Sequence, residues 1–209
     1  YKGYSVVDTY GYRRINKISI MKLSKDGQKL IGEKTKLNCD CLGVSGGWTP
    51  AVHLFTQTGS KLKFREEDQV FIPEVYPSDQ ISIGSCNGDF SLDEVVKNTL
   101  SSLKRFLNID NSEFKTIEII SGLNQSKRNI WLLPSDKSIG KTKSFVDYQN
   151  DATSKDIKLA LREGFRSIEH VKRYTTTGMG TDQGKLGNMH ALGIISETAG
   201  TKMGENGTT

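Results

Sequence analysis

The feature that most constrains this chain is the run Glu169–Lys185, EHVKRYTTTGMGTDQGK, which lies between segments of helical periodicity. Upstream, Thr153 and Asp156 cap a predicted helix whose apolar face is Ile157, Ala160 and Leu161, stopped by Gly164. Ser167 opens a second short helix with Ile168 and Val171 inward. After the run, apolar periodicity at Met189, Leu192 and Ile195 predicts a third helix over about Gly184–Thr198, closed by Gly200. Three threonines and a Gly-Met-Gly turn cannot continue a helix, so this part of the chain is expected to be a small helical module of the αα-hairpin type. A turn of small residues feeding a helix leaves backbone N–H groups at a positive dipole end. With Lys172, Arg173 and Lys185 close by, such a turn suits an anionic group, most simply a phosphate. The plain alternative is a solvated loop between helices.

A chain of 209 residues has room for one large domain or two small ones. Its net charge of +5 comes from acids and bases mixed along the sequence, with no basic stripe of the kind that tracks nucleic acid. No apolar run approaches the roughly 18 residues that span a bilayer, and the start carries no signal-peptide pattern. Three cysteines, an odd number, argue against a disulfide framework and fit a reducing, cytoplasmic setting. The chain starts at Tyr1 inside structured-looking sequence, as a piece of a longer polypeptide would.

From Tyr12 to Leu23 an Ile-rich alternation predicts a strand, Lys25-Asp26-Gly27 a hairpin turn, and about Lys29–Thr35 the returning strand. Leu37–Ser45 reads as a buried strand with Cys39 and Cys41 on one face; C-x-C with a distant Cys86 does not match a zinc spacing. The break Ser45-Gly46-Gly47-Trp48-Thr49-Pro50 permits close backbone approach, and Trp48 could stack on a flat ring; a tight turn anchored by Trp is the alternative. His53 is read as a structural residue.

Asp68–Pro73 and Gln80–Ile83 are predicted strands, the second leading through Gly84-Ser85-Cys86-Asn87-Gly88 into a helix. Ser91 and Glu94 form a capping box there, and Leu92, Val95, Val96, Thr99, Leu100 and Leu103 make one face. Strand, Gly-x-x-x-Gly, helix is how dinucleotide-binding sheets bring a helix start to a cofactor. Asp89 would repel a phosphate, so Gly84, Asn87 and Gly88 suit a ribose or ring contact. Phe114–Ile120 and Ile130–Leu133 are candidate short strands, and Ser135–Ser144 has the composition of a linker.

Two stretches, CDCLGVSGGWTPAVHL and FVDYQNDATSKDIKLALREGFRSIEHVKRYTTTGMGTDQGK, together resemble the alpha subunit of heterotetrameric sarcosine oxidase. The resemblance implies an α/β fold, the end of a disulfide-oxidoreductase-like dinucleotide-binding domain with a β-meander, followed by a small α-helical domain. It implies residues 1–107 as the end of an FAD/NAD(P)-binding domain and 108–143 as a connecting segment. Residues 144–187 become a helical domain and 188–209 the start of an aminomethyltransferase-like folate domain. The helical part also resembles bacterioferritin-associated ferredoxin, whose module holds an iron–sulfur cluster by four cysteines. Val146, Tyr148, Asp182 and Gly187 stand near those positions and none is Cys, so no cluster is expected.

The resemblance further implies oxidative demethylation of sarcosine to glycine, with hydrogen peroxide formed and the one-carbon unit passed to tetrahydrofolate. It implies beta, gamma and delta subunits, NAD, FAD, and FMN at the junction with beta. No residue here is expected to be catalytic; amine oxidation is assigned to beta. The expected cofactor-binding residues are Gly46, Gly47, Trp48, Gly84, Asn87, Gly88, Lys172, Arg173, Thr175, Thr176, Gln183 and Lys185. Of these, Lys172, Arg173, Thr175, Thr176 and Lys185 are expected at the FMN phosphate, where charge-assisted donors are needed. The rivals are a subunit of an NAD(P)- or flavin-dependent amino-acid or opine dehydrogenase, and a module that only bridges flavoprotein subunits.

Overall fold

The structure, a computed structural model, describes residues 1–108, 129–138 and 141–207. The chain forms two compact units, one of Tyr1–Gly47 with Ile130–Lys202, the other of Trp48–Asn129 with the residues from Met203.

The first unit begins with an antiparallel meander of β1 (Tyr4–Gly11), β2 (Ile15–Leu23) and β3 (Leu30–Asn38). The Asp-Gly signal closes the β2–β3 hairpin: Gly27 takes φ +69°, and its N–H donates to the Ser24 carbonyl at 2.8 Å. Central β2 buries Ile18, Ser19 and Ile20 in succession, and the buried Ser19 hydroxyl is met by the Tyr10 hydroxyl at 3.0 Å. Asp8 on β1 pairs with Lys34 on β3 at 2.9 Å and with Lys137, and Lys34 reaches Asp136 at 3.1 Å. These two cations, Lys137 first, hold the Asp8 carboxyl below its ordinary range.

The strand expected over Leu37–Ser45 is not formed. β3 stops at Asn38, and the residues that follow through Val52 have no regular structure, with Cys41 exposed. Gly43 and the polar Asn38, Asp40 and Ser45 leave this stretch too little apolar surface to be buried as a strand.

The second unit contains α1 (His53–Thr56) and a hairpin of β4 (Leu62–Arg65) and β5 (Val70–Pro73). β5 is buried throughout, and Phe71 meets Phe64 edge-on at 5.1 Å. No strand forms over Gln80–Ile83; an irregular segment leads into a 3-10 turn, Gly84–Asn87. α2 (Leu92–Leu107) follows as expected from its periodicity, with Ser91 at the N-cap, although the Ser91 side chain caps no N–H. None of the side chains on α2 is fully buried. His53 is exposed at the start of α1, not packed as the sequence suggests.

The first unit resumes after Asn129. Ile130–Leu133 is not a strand, and Phe114–Ile120 lies outside the described residues. A short ribbon of β6 (Phe145–Asp147) and β7 (Ala152–Thr153) opens into α3 (Ser154–Arg162). The predicted cap forms: Asp156 Oδ2 accepts from the Thr153 N–H at 2.8 Å and from its hydroxyl at 2.7 Å. α4 (Ile168–Thr175) and α5 (Asn188–Ala199) pack against α3. Ile157, Ala160, Val171, Ala191, Leu192 and Ile195 are wholly buried between them. Each of the larger ones contributes about 1.5–3 kcal/mol by leaving water. α5 is buried continuously from Ala191 to Ser196 and ends at Gly200 in the left-handed region. Among the described residues, no helix is long and apolar enough to cross a membrane.

Candidate functional site

The segment between α4 and α5 is a fixed turn. α4 ends where Thr176 adopts φ +60°, so Lys172 and Arg173 occupy the last turn of a helix, at its negative dipole end. The pair stands beside the turn, as expected, but at the end of the helix that precedes it. Both cations face Glu169 from one turn below, Lys172 at 3.4 Å and Arg173 at 3.6 Å.

What holds the turn is the connection between β6 and β7, Asp147-Tyr148-Gln149-Asn150. Asp147 is 6% exposed, and its carboxylate accepts four hydrogen bonds. Three come from the Gln149 N–H at 2.8 Å, the Asn150 N–H at 3.1 Å and the Asn150 amide at 3.2 Å. The fourth comes from the Gly178 N–H at 2.7 Å. Burial alone would raise the Asp147 pKa; the bonds from Gly178, Asn150 and Gln149 outweigh it and hold the carboxyl below the usual carboxylate range. Gln149 Oε1 accepts from the Thr181 N–H at 2.6 Å and its hydroxyl at 2.8 Å, and the Asn150 amide donates to the Thr176 carbonyl at 3.1 Å. The anion at the Gly-Met-Gly turn is therefore one the chain supplies itself.

The glycines explain the tightness. A Cβ on Gly180 would lie 2.4 Å from Gln149 Oε1, and one on Gly187 would lie 2.7 Å from the Val146 carbonyl oxygen. Gly178 and Gly184, both at positive φ, enclose the side chain of Asn188 at the start of α5. Asp182 accepts from the Gly184 and Leu186 N–H groups at 3.2 and 3.3 Å.

A phosphate group, as the resemblance implies for FMN, fits this arrangement only from outside. The Thr175 hydroxyl donates to the Val171 carbonyl at 2.7 Å, the Thr176 hydroxyl to the Thr175 carbonyl at 2.6 Å, and Thr177 is wholly buried. Those hydroxyl hydrogens and the Gly178 N–H are committed within the chain. Arg173, Gln183 and Lys185 are exposed and keep donors facing outward, while Lys172 is half-covered beside Glu169. Tyr148, Met179 and Leu186 are large apolar side chains left uncovered on the same module.

The remaining expected residues are divided between the units. Gly46 and Gly47 belong to the first; a Cβ on Gly46 would be 3.9 Å from His190 Cε1, and Gly47 has φ +112°. His190 also stands edge-on to Trp131 at 5.8 Å, and burial lowers its pKa. Trp48, Gly84, Asn87 and Gly88 belong to the second unit. Trp48 is 78% exposed. Gly84 and Gly88 are buried at positive φ, and the Gly88 carbonyl accepts from Arg65 Nη2 at 2.7 Å, so these two glycines build the turn and Asn87 alone offers a side chain. Asp147, Gln149 and Asn150 were not singled out from the sequence. The D-x-x-N spacing before a capped helix is an Asx-turn pattern, but the bonds from these residues to Thr176, Gly178 and Thr181 span about thirty residues and leave no local trace.

Residues 141–209 match the family described as the sarcosine oxidase A3 domain. The sarcosine oxidase subunit alpha of Rhizobium meliloti (strain 1021) is 31% identical over 97% of this chain and 21% of its own length. That of Corynebacterium sp. (strain P-1) is 29% identical over 99% of this chain and 22% of its own. Among solved structures, the L-proline dehydrogenase from P. horikoshii aligns with TM-score 0.54 and 17% identity over 98% of this chain and 41% of that one, a likeness of mixed α/β fold. The chain is a relative of sarcosine oxidase alpha subunits along nearly all of its length, and it spans about a fifth of theirs.

Proposed function

We propose that this chain is a segment of the alpha subunit of a heterotetrameric sarcosine oxidase, where it frames a cofactor at a junction between subunits and supplies no catalytic acid, base or nucleophile. The observation that carries this reading is the outer face of the turn between α4 and α5. Arg173 and Lys185 stand exposed at its two ends, Tyr148, Met179 and Leu186 are uncovered on the same module, and Asp147 fixes the backbone between them. Exposed aromatic, Met and Arg side chains on a rigid support suit a protein partner.

In this reading the partner is the beta subunit, and Arg173 and Lys185, with Gln183 and Lys172, hold the phosphate of an FMN shared across the junction. FMN supplies redox chemistry; these side chains contribute charge-assisted hydrogen bonds that orient it and neutralise its phosphate. Thr175 and Thr176 act by shaping the helix end, since their hydroxyl hydrogens are already used. The assembled enzyme, with gamma and delta subunits, FAD and NAD, would convert sarcosine to glycine with hydrogen peroxide as a product. The one-carbon unit would pass to tetrahydrofolate. Of the residues expected at NAD, Asn87 and Trp48, both of the second unit, keep side chains that can still make a contact, one by hydrogen bonding and the other by ring stacking.

The test is the assembled enzyme carrying Arg173→Ala or Lys185→Ala. Each is expected to weaken FMN retention roughly tenfold while leaving the flavin on neighbouring subunits untouched. FMN content and dissociation identical to the parent enzyme in both variants would remove the reading.

A further inference from the structure

Cys39 and Cys41 stand where the three-stranded meander gives out. β3 ends at Asn38, the Cys39 N–H still donates to the Asn16 carbonyl at 3.2 Å, and the chain bends at Asp40. Cys39 is half-buried at the strand end, while Asp40, Cys41 and residues 43–49 are exposed. Had the strand continued, two residues of rise, about 6.8 Å, would separate the two α-carbons, at the upper limit for a disulfide. A bend at the residue between them shortens that span toward the roughly 5.5–6 Å that disulfides favour. One thiol is thus anchored and sheltered, and its neighbour is open to solvent. Among the described residues, no group of three His, Cys, Asp or Glu side chains could hold a metal ion, so no centre of that size claims the pair.

We propose that Cys39 and Cys41 form a dithiol that hydrogen peroxide oxidises, with Cys41 the attacking thiol and Cys39 the resolving one. The Cys41 thiolate attacks one peroxide oxygen, the O–O bond breaks, one water leaves and Cys41 becomes a sulfenic acid. The Cys39 thiolate then attacks the Cys41 sulfur; the S–S bond forms, the S–O bond breaks and a second water leaves. The two sulfurs lose two electrons, the peroxide gains them, and both thiol protons end in water. A ring closed over a single residue is strained, so this disulfide is of the labile kind that glutathione reduces. The step needs hydrogen peroxide as its co-reactant and stands whether or not the proposed oxidase reaction supplies it.

The reduced 209-residue chain, treated with one equivalent of hydrogen peroxide and then alkylated, tests this by peptide mass mapping. In the parent, Cys86 should stay reduced, and the tryptic peptide 37–61 should carry an internal disulfide, two hydrogens lighter than its reduced form. Glutathione should restore all three thiols. Cys39→Ser should stop at the sulfenic acid, so that dimedone labels Cys41 roughly tenfold more than in the parent. Cys41→Ser should react with peroxide roughly tenfold more slowly, because the thiol left in the pair is sheltered. In urea, where both thiols are open, that difference between the two variants should vanish. Cys86→Ser should leave the disulfide unchanged. The parent chain alone decides whether the bond forms, so a variant that folds poorly does not rescue the idea. No disulfide within peptide 37–61, a disulfide through Cys86 or between two chains, or equal rates for the two folded variants would overturn the proposal.

Discussion

Asp147 Oδ2 accepts the Gly178 N–H at 2.7 Å, joining the end of β6 to the middle of the turn between α4 and α5 across 31 residues of chain. Among the described residues no lysine or arginine shares that carboxylate, and its hydrogen bonds come from N–H groups. Its removal should therefore act on the turn itself, not on a surface ion pair.

Asp147→Asn keeps the size of the side chain but turns one acceptor oxygen into an NH2 that faces a donor. The expected cost is about 1.5–3 kcal/mol, the range for hydrogen bonds to a charged group. The sign of the pH dependence follows from the folded carboxyl titrating below the unfolded one. Between those two values the unfolded chain binds more protons, so the stabilisation is complete above the ordinary aspartate range and is lost as the pH falls through it. Thermal melts of the parent and variant chains should differ most near neutrality and converge on acidification. A gap that stays constant down to the lowest pH would contradict this account.

Gly184 and Gly164 separate crowding from backbone strain. Both take positive φ, +76° and +101°, but a Cβ on Gly184 would fall 2.2 Å from the Asn188 amide, whereas one on Gly164 meets nothing within 4 Å. Gly164→Ala should cost about 1 kcal/mol, the left-handed penalty for an L-residue. Gly184→Ala should cost about 1–3 kcal/mol more, the usual range for overpacking. Equal melting temperatures for the two variants would mean that Asn188 moves aside freely.

Gly193 gives a third measurement, with an optical readout. The ring of Trp131 lies where a Cβ on Gly193 would sit, 2.1 Å from Cδ2. Gly193→Ala must push the indole off α5, at about 1–3 kcal/mol. In a Trp48→Phe background, where Trp131 is the remaining tryptophan, its emission should shift to the red as the ring enters water. Unchanged emission would place the ring elsewhere.

These contacts show why some of the fold could be read from sequence and some could not. Helices α3, α4 and α5 and the β2–β3 hairpin announce themselves by features local to each: the Thr153–Asp156 cap, the Ser167 cap, the Asp26-Gly27 turn and the closing Gly200. The strands expected at Leu37–Ser45 and Gln80–Ile83 failed because short apolar runs beside Gly and Ser satisfy a strand pattern without a sheet edge to join. β1 and β4 went unpredicted because their partners, not their composition, make them strands. At the turn, the sequence displays the glycines and cations but hides Asp147, since what decides the occupant of an amide is distance in space. That is why a phosphate cradle was the natural expectation there, and why the inward donors turned out to be taken.

His190 extends the same reasoning to a group that titrates nearer neutrality. It sits in the first turn of α5, edge-on to Trp131 at 5.8 Å and against Gly46, and burial lowers its pKa from the ordinary 6.5. The folded chain therefore holds a neutral imidazole, while below about pH 6.5 the unfolded chain already takes up a proton. In that window the unfolded state binds more protons, so stability rises with pH; the contribution of His190 is intact above about 6.5 and is lost as the pH falls toward the folded value. His190→Gln removes this titration without adding bulk. The parent chain should lose melting temperature on acidification from about pH 6.5, well above the range in which Asp147 titrates, and the variant should show a flatter curve there. If the two curves run parallel between neutrality and the carboxylate range, the imidazole is not held neutral by its burial beside Trp131.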